Sequence, residues 1–286
     1  MTRIRSARIV DDAVQGGHGV AAFNVIHLET AEALAAAADE TGLPLIMQLS
    51  HNCVRFHNDQ LAPIGQAMID IAAAATAPIA VHLDHCESVE LAKAAIDLGF
   101  DSVMYDGSVL PVADNIANTI QVVEYAHAAG VSVEAELGEI GGKGAHTPGV
   151  RTNPAEAKQF VADTGVDLLA VAVGSEHAMV QRTARLDMAL ISELHHAAGV
   201  PLVLHGSSGV PDDEIQRAIT AGMTKINVST HLNSHFTRGI RDYLTNHPQV
   251  VDSRKYLAAG RAALQAEAAR LQRVLHDPTL ASSPQE

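Results

Sequence analysis

Tryptophan is absent from the 286 residues, and aromatic side chains make up only 3% of them. That removes the indole platforms on which single-strand nucleic-acid binders stack bases. Cysteine occurs twice, at Cys53 and Cys86. Two thiols build no disulfide framework, so a reducing, cytoplasmic setting is expected. Positive charge is scarce: 19 Lys+Arg stand against 33 Asp+Glu, for a formal charge of −14. Such a chain suits neither phosphate backbones nor anionic bilayers, so no nucleic-acid or membrane partner is expected. No apolar run approaches the ~20 residues of a membrane span. The opening stretch MTRIRSARIVDDAVQ has no long apolar segment behind its charges, so a signal peptide is not expected. Histidine, by contrast, is plentiful at 16 residues, which turns attention to metal and acid–base chemistry.

Short apolar, β-branched runs alternate with Ala-rich stretches of helical period. The runs, at 19–25, 43–49, 78–83, 101–104, 131–137, 167–173, 200–204 and 223–228, predict eight strands. The intervening stretches predict helices over 28–41, 60–76, 87–98, 112–129, 154–164, 187–198, 211–221 and 230–246. Continuous apolar strands are what a parallel sheet covered on both faces requires. Eight strand–helix repeats read as an α/β fold, a (β/α)8 TIM barrel, which occupies about 250 residues as one unit. Residues 1–286 are therefore expected to form a single domain. Gly42, Gly99, Gly130, Gly199 and Gly222 sit where predicted helices stop. An additional C-terminal helix over 252–276 would pack on the barrel or on a neighbouring subunit. The longest irregular segment is 138–153, a length that usually marks a functional loop.

Sites in such barrels form at the C-terminal ends of the strands. His85, His177 and His205 fall just past the third, sixth and seventh strands. Neutral imidazoles from separate strands can converge on one Zn²⁺ and leave a fourth position open, although each alone reads equally as a strand-end residue bonded to backbone. His82 reads as a buried, hydrogen-bonded layer residue, while His195, His196 and His247 read as solvated. Asp84, beside His85, suits a general acid/base or a partner that orients a ligand histidine. Asp106 and Glu136 are hard oxygen donors for a second cation; they read equally as loop caps or partners of Lys143 or Arg151. The turns at 206–209 and 227–230 offer backbone N–H groups and hydroxyls as a phosphate cradle, with Thr230 opening an anion-favouring helix or simply capping it.

These residues resemble the class II, metal-dependent ketose-bisphosphate aldolases from about residue 8 to 275. The resemblance rests on Ala22-Phe-Asn-Val25, His82-Leu-Asp-His85, Gly99 to Ser108, Val133-Glu-Ala-Glu-Leu-Gly138, Thr164 to Ala170, Leu204-His-Gly-Ser-Ser-Gly209 and Lys225-Ile-Asn-Val-Ser-Thr230. It implies reversible aldol cleavage of a ketose (bis)phosphate, tagatose- or fructose-1,6-bisphosphate by default, to dihydroxyacetone phosphate and an aldehyde. It implies Asp84 as proton donor and acceptor, a catalytic zinc on His85, His177 and His205, and a second cation, Zn²⁺ or monovalent, at Asp106 and Glu136. Gly206, Ser207, Ser208, Asn227, Val228, Ser229 and Thr230 would hold the triose-phosphate half, with Ala178 beside it and Asn24 and Ser50 in substrate contact. A homodimer or homotetramer is implied as well. No Schiff-base lysine is needed, and the few lysines are expected mostly in helices and loops.

Four positions depart from the family pattern. The loop Gly141-Gly-Lys-Gly-Ala-His146 lacks the usual acid after its glycine pair, leaving His146 as its substitute for enolisation. Ala178 replaces a glycine, Ser229 stands where fructose-specific members often carry Asp, and Asn233 stands where a cation often meets the distal phosphate. These departures keep open an aldolase for another ketose 1-phosphate, or a phosphosugar-binding barrel without turnover. A metal-dependent barrel hydrolase is disfavoured, because the first strand offers Asn24 and no His-x-His.

Overall fold

The computed structural model describes residues 4–137, 150–176 and 179–277. Eight parallel strands close into a barrel in chain order. They are β1 (Val20–Asn24), β2 (Leu45–Ser50), β3 (Ile79–Cys86), β4 (Ser102–Tyr105), β5 (Ser132–Leu137), β6 (Leu168–Val171), β7 (Leu202–Leu204) and β8 (Met223–Val228). The helices are α1 (Ser6–Gly16), α2 (Leu28–Thr41), α3 (His51–Phe56), α4 (Leu61–Ala74), α5 (Val89–Leu98) and α6 (Val112–Ala128). They continue as α7 (Pro154–Thr164), α8 (Met188–Ala198), α9 (Asp212–Ala221), α10 (Thr230–Asn246) and α11 (Ser253–His276). Each apolar run of the sequence holds one strand, displaced by a few residues at its ends. β1 seals the barrel by pairing Val20 with Lys225 of β8 and Ala21 with Leu45 of β2.

Both faces of the strands are buried, which explains the unbroken apolar runs. Val20, Ala22, Ile46, Ala80, Met104, Leu168, Ala170 and Val203 point inward and form an apolar cluster. Their neighbours along the strands face the helices and join the larger core between sheet and shell. Gly42 and Gly99 end α2 and α5 at φ 69° and 104°, left-handed backbone that only glycine enters cheaply.

Two helices go beyond the sequence reading. α1 places Ile9, Val10 and Ala13 on one face and inserts them into the inner cluster, closing the N-terminal end of the barrel. Three apolar positions among charged neighbours make too brief a period to stand out. α3 is six residues long and starts from Ser50, whose hydroxyl accepts the Cys53 N–H at 3.2 Å. α11 packs on its own barrel, against α2, α9, α10 and β1, burying Leu264, Ala268, Ala269, Leu271 and Leu275. Among the described residues no helix is long and apolar enough to cross a membrane.

Candidate active site

Polar side chains gather at the C-terminal mouth of the barrel because each strand ends its apolar run there. Alternation along β3 turns His82 and Asp84 inward, and should send His85 outward. Two features change that. β3 slips its register against β4 between Leu83 and Cys86, and the His85 backbone lies in the left-handed region at φ 48°. An extra residue at a bulge re-aims a side chain, so Asp84 and His85 both reach the mouth. Left-handed backbone at a non-glycine residue costs about 1–3 kcal/mol and persists where surroundings enforce it, commonly at functional positions.

Asp84 is buried, and amides hold both its oxygens. Asn24 Nδ2 donates to Oδ2 at 3.0 Å and Asn227 Nδ2 to Oδ1 at 3.4 Å, while Gln48 Nε2 donates to Asn24 Oδ1 at 2.9 Å. Asp84 is not the residue that orients His85: Asp106 Oδ2 lies 2.8 Å from His85 Nδ1, while the nearest Asp84 oxygen is 4.0 Å from His85 Nε2. Asp106 Oδ1 accepts from the Ser108 N–H and hydroxyl, so Asp106 caps its loop as well as gripping the ring. Glu136 Oε2 lies 4.0 Å from the same Nδ1.

His205, two residues beyond the inward-facing Val203, follows the alternation into the barrel. Its Nε2 lies 2.9 Å from Glu134 Oε1, and its Nδ1 lies 2.8 Å from His85 Nε2. Burial opposes ionisation of Glu134, but Lys225 and the His205 hydrogen bond outweigh it and hold its carboxyl at about 2. Asn227 Nδ2 also faces His205 Nε2, at 3.1 Å, but the ionised Glu134 carboxylate is the closer and charged partner and can only accept. His205 therefore carries hydrogen on Nε2, and the Asn227 amide gives its hydrogen to Asp84. His85 likewise carries hydrogen on Nδ1, toward Asp106. His205 Nδ1 and His85 Nε2 therefore present lone pairs to each other. Burial first, and then His85, lower the His205 pKa, which favours this neutral ring.

Paired lone pairs beside a carboxylate make a donor set for a divalent cation of zinc type, with second partners already on each ring. Ligand atoms of Asp84, His85 and His205 lie within 4.8 Å of one another, and so do those of His85, Asp106 and Glu136. His177, Ala178 and His146 lie outside the described residues. The segment leading to residue 177 is nonetheless fixed against His205: Ser175 Oγ donates to the His205 carbonyl at 2.6 Å. Gly206, at φ 68°, has no room for a side chain, since a Cβ there would meet the Glu176 carbonyl oxygen at 2.7 Å.

The two turns at β7 and β8 are also together. Ser207 Oγ donates to the Leu204 carbonyl, and Ser208 Oγ accepts the Ser229 and His231 N–H groups at 3.2 and 3.1 Å. Thr230 is the first residue of α10 rather than its cap, and Ser229 at the cap position makes no side-chain capping bond. Ser208 performs that task from the neighbouring loop. Val228 faces the outer core, so only its main chain can meet a ligand at the mouth. The Ser50 hydroxyl is engaged in capping α3.

One layer deeper lies a network of which the sequence reading placed only His82. Lys225 of β8 is a buried strand lysine, not one in a helix or loop, and its Nζ lies 2.7 Å from Glu134 Oε2 and 3.4 Å from His82 Nε2. His82 Nδ1 lies 2.7 Å from Ser102 Oγ, which donates to Ser6 Oγ of α1 at 2.9 Å. Burial, then Lys225, push His82 down to about 3, so its ring is neutral and a layer residue, as its spacing suggests. The signal for the network was present: opposite charges sit inside two apolar strands, each two residues before a mouth residue, Glu136 or Asn227.

The family model for fructose-bisphosphate aldolase class II matches residues 4–277. A fructose-bisphosphate aldolase of Geobacillus stearothermophilus is 40% identical over 272 residues, covering 93% of this chain and 94% of the relative. One from Staphylococcus aureus is 38% identical over 271 residues, with the same coverage. Among solved structures, the YdjI aldolase of Escherichia coli K12 superposes with a TM-score of 0.85 at 30% identity, covering 98% of this chain and 100% of that one.

Proposed function

The chain belongs to the class II fructose-bisphosphate aldolase family, and from that premise we propose that it cleaves a ketose phosphate reversibly at C3–C4 with the help of a divalent cation, zinc, at the barrel mouth. His85 and His205 would hold the cation, and His177 would complete the set. When bound, the cation supplies a Lewis acid that polarises the substrate ketone and stabilises the negative charge that develops on its oxygen. The single observation that carries this reading is the pair of carboxylate-backed imidazoles whose lone pairs meet beside Asp84.

Asp84 would take the proton from the C4 hydroxyl as the C3–C4 bond breaks, releasing the aldehyde, and return it to the new alkoxide in the condensation direction. The amides of Asn24 and Asn227 aim its oxygens and keep it from turning onto His85. Gly206 to Ser208 and Asn227 to Thr230 would bind the triose phosphate through main-chain N–H groups and the N-terminal end of α10. His146 would exchange the C3 proton that leaves dihydroxyacetone phosphate ready to add. Asp106 and Glu136, both near His85 Nδ1, would hold a second cation.

Fructose-1,6-bisphosphate and its tagatose epimer are the first substrates to test, in keeping with the names of the relatives. Ala178 and the acid-free loop favour a second reading, a phosphosugar-binding barrel without turnover. The deciding assay follows aldehyde release from a panel of ketose mono- and bisphosphates by chelator-treated protein, before and after zinc. Restored turnover on at least one of them is expected; turnover indifferent to chelator, or none on any, would remove the proposal.

A further inference from the structure

Two charges buried in a barrel are costly to desolvate, and an apolar pair of the same volume generally stabilises as well or better. Lys225 and Glu134 are each 1% exposed, so their ion pair calls for a purpose beyond stability. Its geometry supplies one. Ser102 Oγ gives its hydrogen to Ser6, so it accepts from His82 Nδ1–H, and His82 Nε2 is left as an acceptor toward Lys225 Nζ. Lys225 is thereby anchored between His82 and Glu134 Oε2. With Oε2 taken, the Glu134 carboxylate has one rotational setting, and Oε1 is turned to His205 Nε2.

We infer that Lys225 and Glu134 are positioning residues for the metal ligand: Lys225 sets the rotation of Glu134, and Glu134 fixes His205 as the Nε2–H tautomer, so that Nδ1 offers its lone pair to the cation. The inference rests on the reading of His205 as a ligand. It has an unusual consequence for Glu134→Gln. The carboxamide must give its oxygen to Lys225, so its NH2 faces His205 Nε2. That drives the ring proton onto Nδ1, the nitrogen the cation needs. Removing the lysine as well, in Glu134→Gln/Lys225→Met, frees the amide to turn its oxygen to His205 and restores the tautomer.

The test measures zinc affinity by competition with a chromophoric chelator, and the His205 tautomer by imidazole ¹⁵N shifts in the zinc-free full chain, with His205→Gln to assign the signal. Glu134→Gln is expected to weaken zinc binding about 10- to 100-fold and to show Nδ1–H. The double variant is expected to recover most of the affinity and the Nε2–H signal. A merely structural role would lower the unfolding midpoint and leave affinity and tautomer unchanged, and that result overturns the inference. So does a double variant no better than the single one. Should Glu134→Gln fail to fold, the unaltered chain decides: a proton on Nε2 upholds the inference and one on Nδ1 overturns it. If the unaltered chain binds no zinc, the reading of the site falls and takes this inference with it. If it binds zinc and Glu134→Gln binds equally, only the inference falls.

Discussion

Asp84 owes its proposed chemistry to its two amide neighbours. Asn24 and Asn227 satisfy a buried carboxylate without neutralising its charge, which leaves a base of fixed aim. Asp84→Asn is expected to keep zinc binding while lowering cleavage about 10²- to 10⁴-fold; unchanged turnover would remove Asp84 from its role. His82 carries a prediction about pH. Its folded pKa of about 3 lies below the 6.5 of the free side chain. Between these values the unfolded chain binds a proton that the folded chain refuses, so stability rises with pH across the window and is fully present above about 6.5. Urea midpoints should fall as pH drops from about 6.5 toward 3, and fall less steeply in His82→Asn. A profile identical to the parent's would show that His82 titrates freely. At this scale the mouth residues were legible in sequence, because a polar residue ending an apolar strand announces itself. The Glu134–Lys225 pair was visible but unassigned: which charge meets which depends on barrel closure, and the two residues are 91 positions apart. The turn of His85 depends on a bulge that no alternation pattern encodes.

Elements position the site through their ends. α1 is a plug, and Ile9 fills the inner cluster at 2% exposure. Ile9→Ala should cost about 2–5 kcal/mol in urea unfolding, with a cavity left under the strands; a loss below about 1 kcal/mol would mean that the plug is dispensable. The strands and surrounding helices were readable because eight apolar runs alternate with helical periods. α1 and α3 were not, being short or sparsely apolar, and their places are fixed by tertiary contacts. The N-terminal ends of α9 and α10 are tied to α11 by a charge chain: Asp212 pairs with Arg182 and Arg270, and Glu267 with Arg270 and His231. Arg270 already engages both Glu267 oxygens at 2.7 and 2.9 Å, so this second gathering of histidine and carboxylate reads as a clamp. It holds α10, and through the Ser208 bond to His231 N–H it holds the turn after β7.

The molecule as a whole follows a division of labour common to this architecture: an apolar lower barrel closed by α1, a buried polar layer, and a mouth that collects donors from most of its strands. Binding to such a mouth stabilises the entire fold by mass action. Zinc at 100 times its dissociation constant should add about 2.7 kcal/mol to unfolding, and a melting midpoint that ignores zinc would mean that the folded mouth has no preference for the ion. The most direct measurement is zinc-edge X-ray absorption on the purified full chain, beside His85→Gln and His205→Gln variants. At least one zinc per chain with imidazole nitrogens around it is expected, with fewer imidazole nitrogens or no zinc in each variant. A chain that holds no zinc, or holds it with the same coordination after both substitutions, would contradict the account.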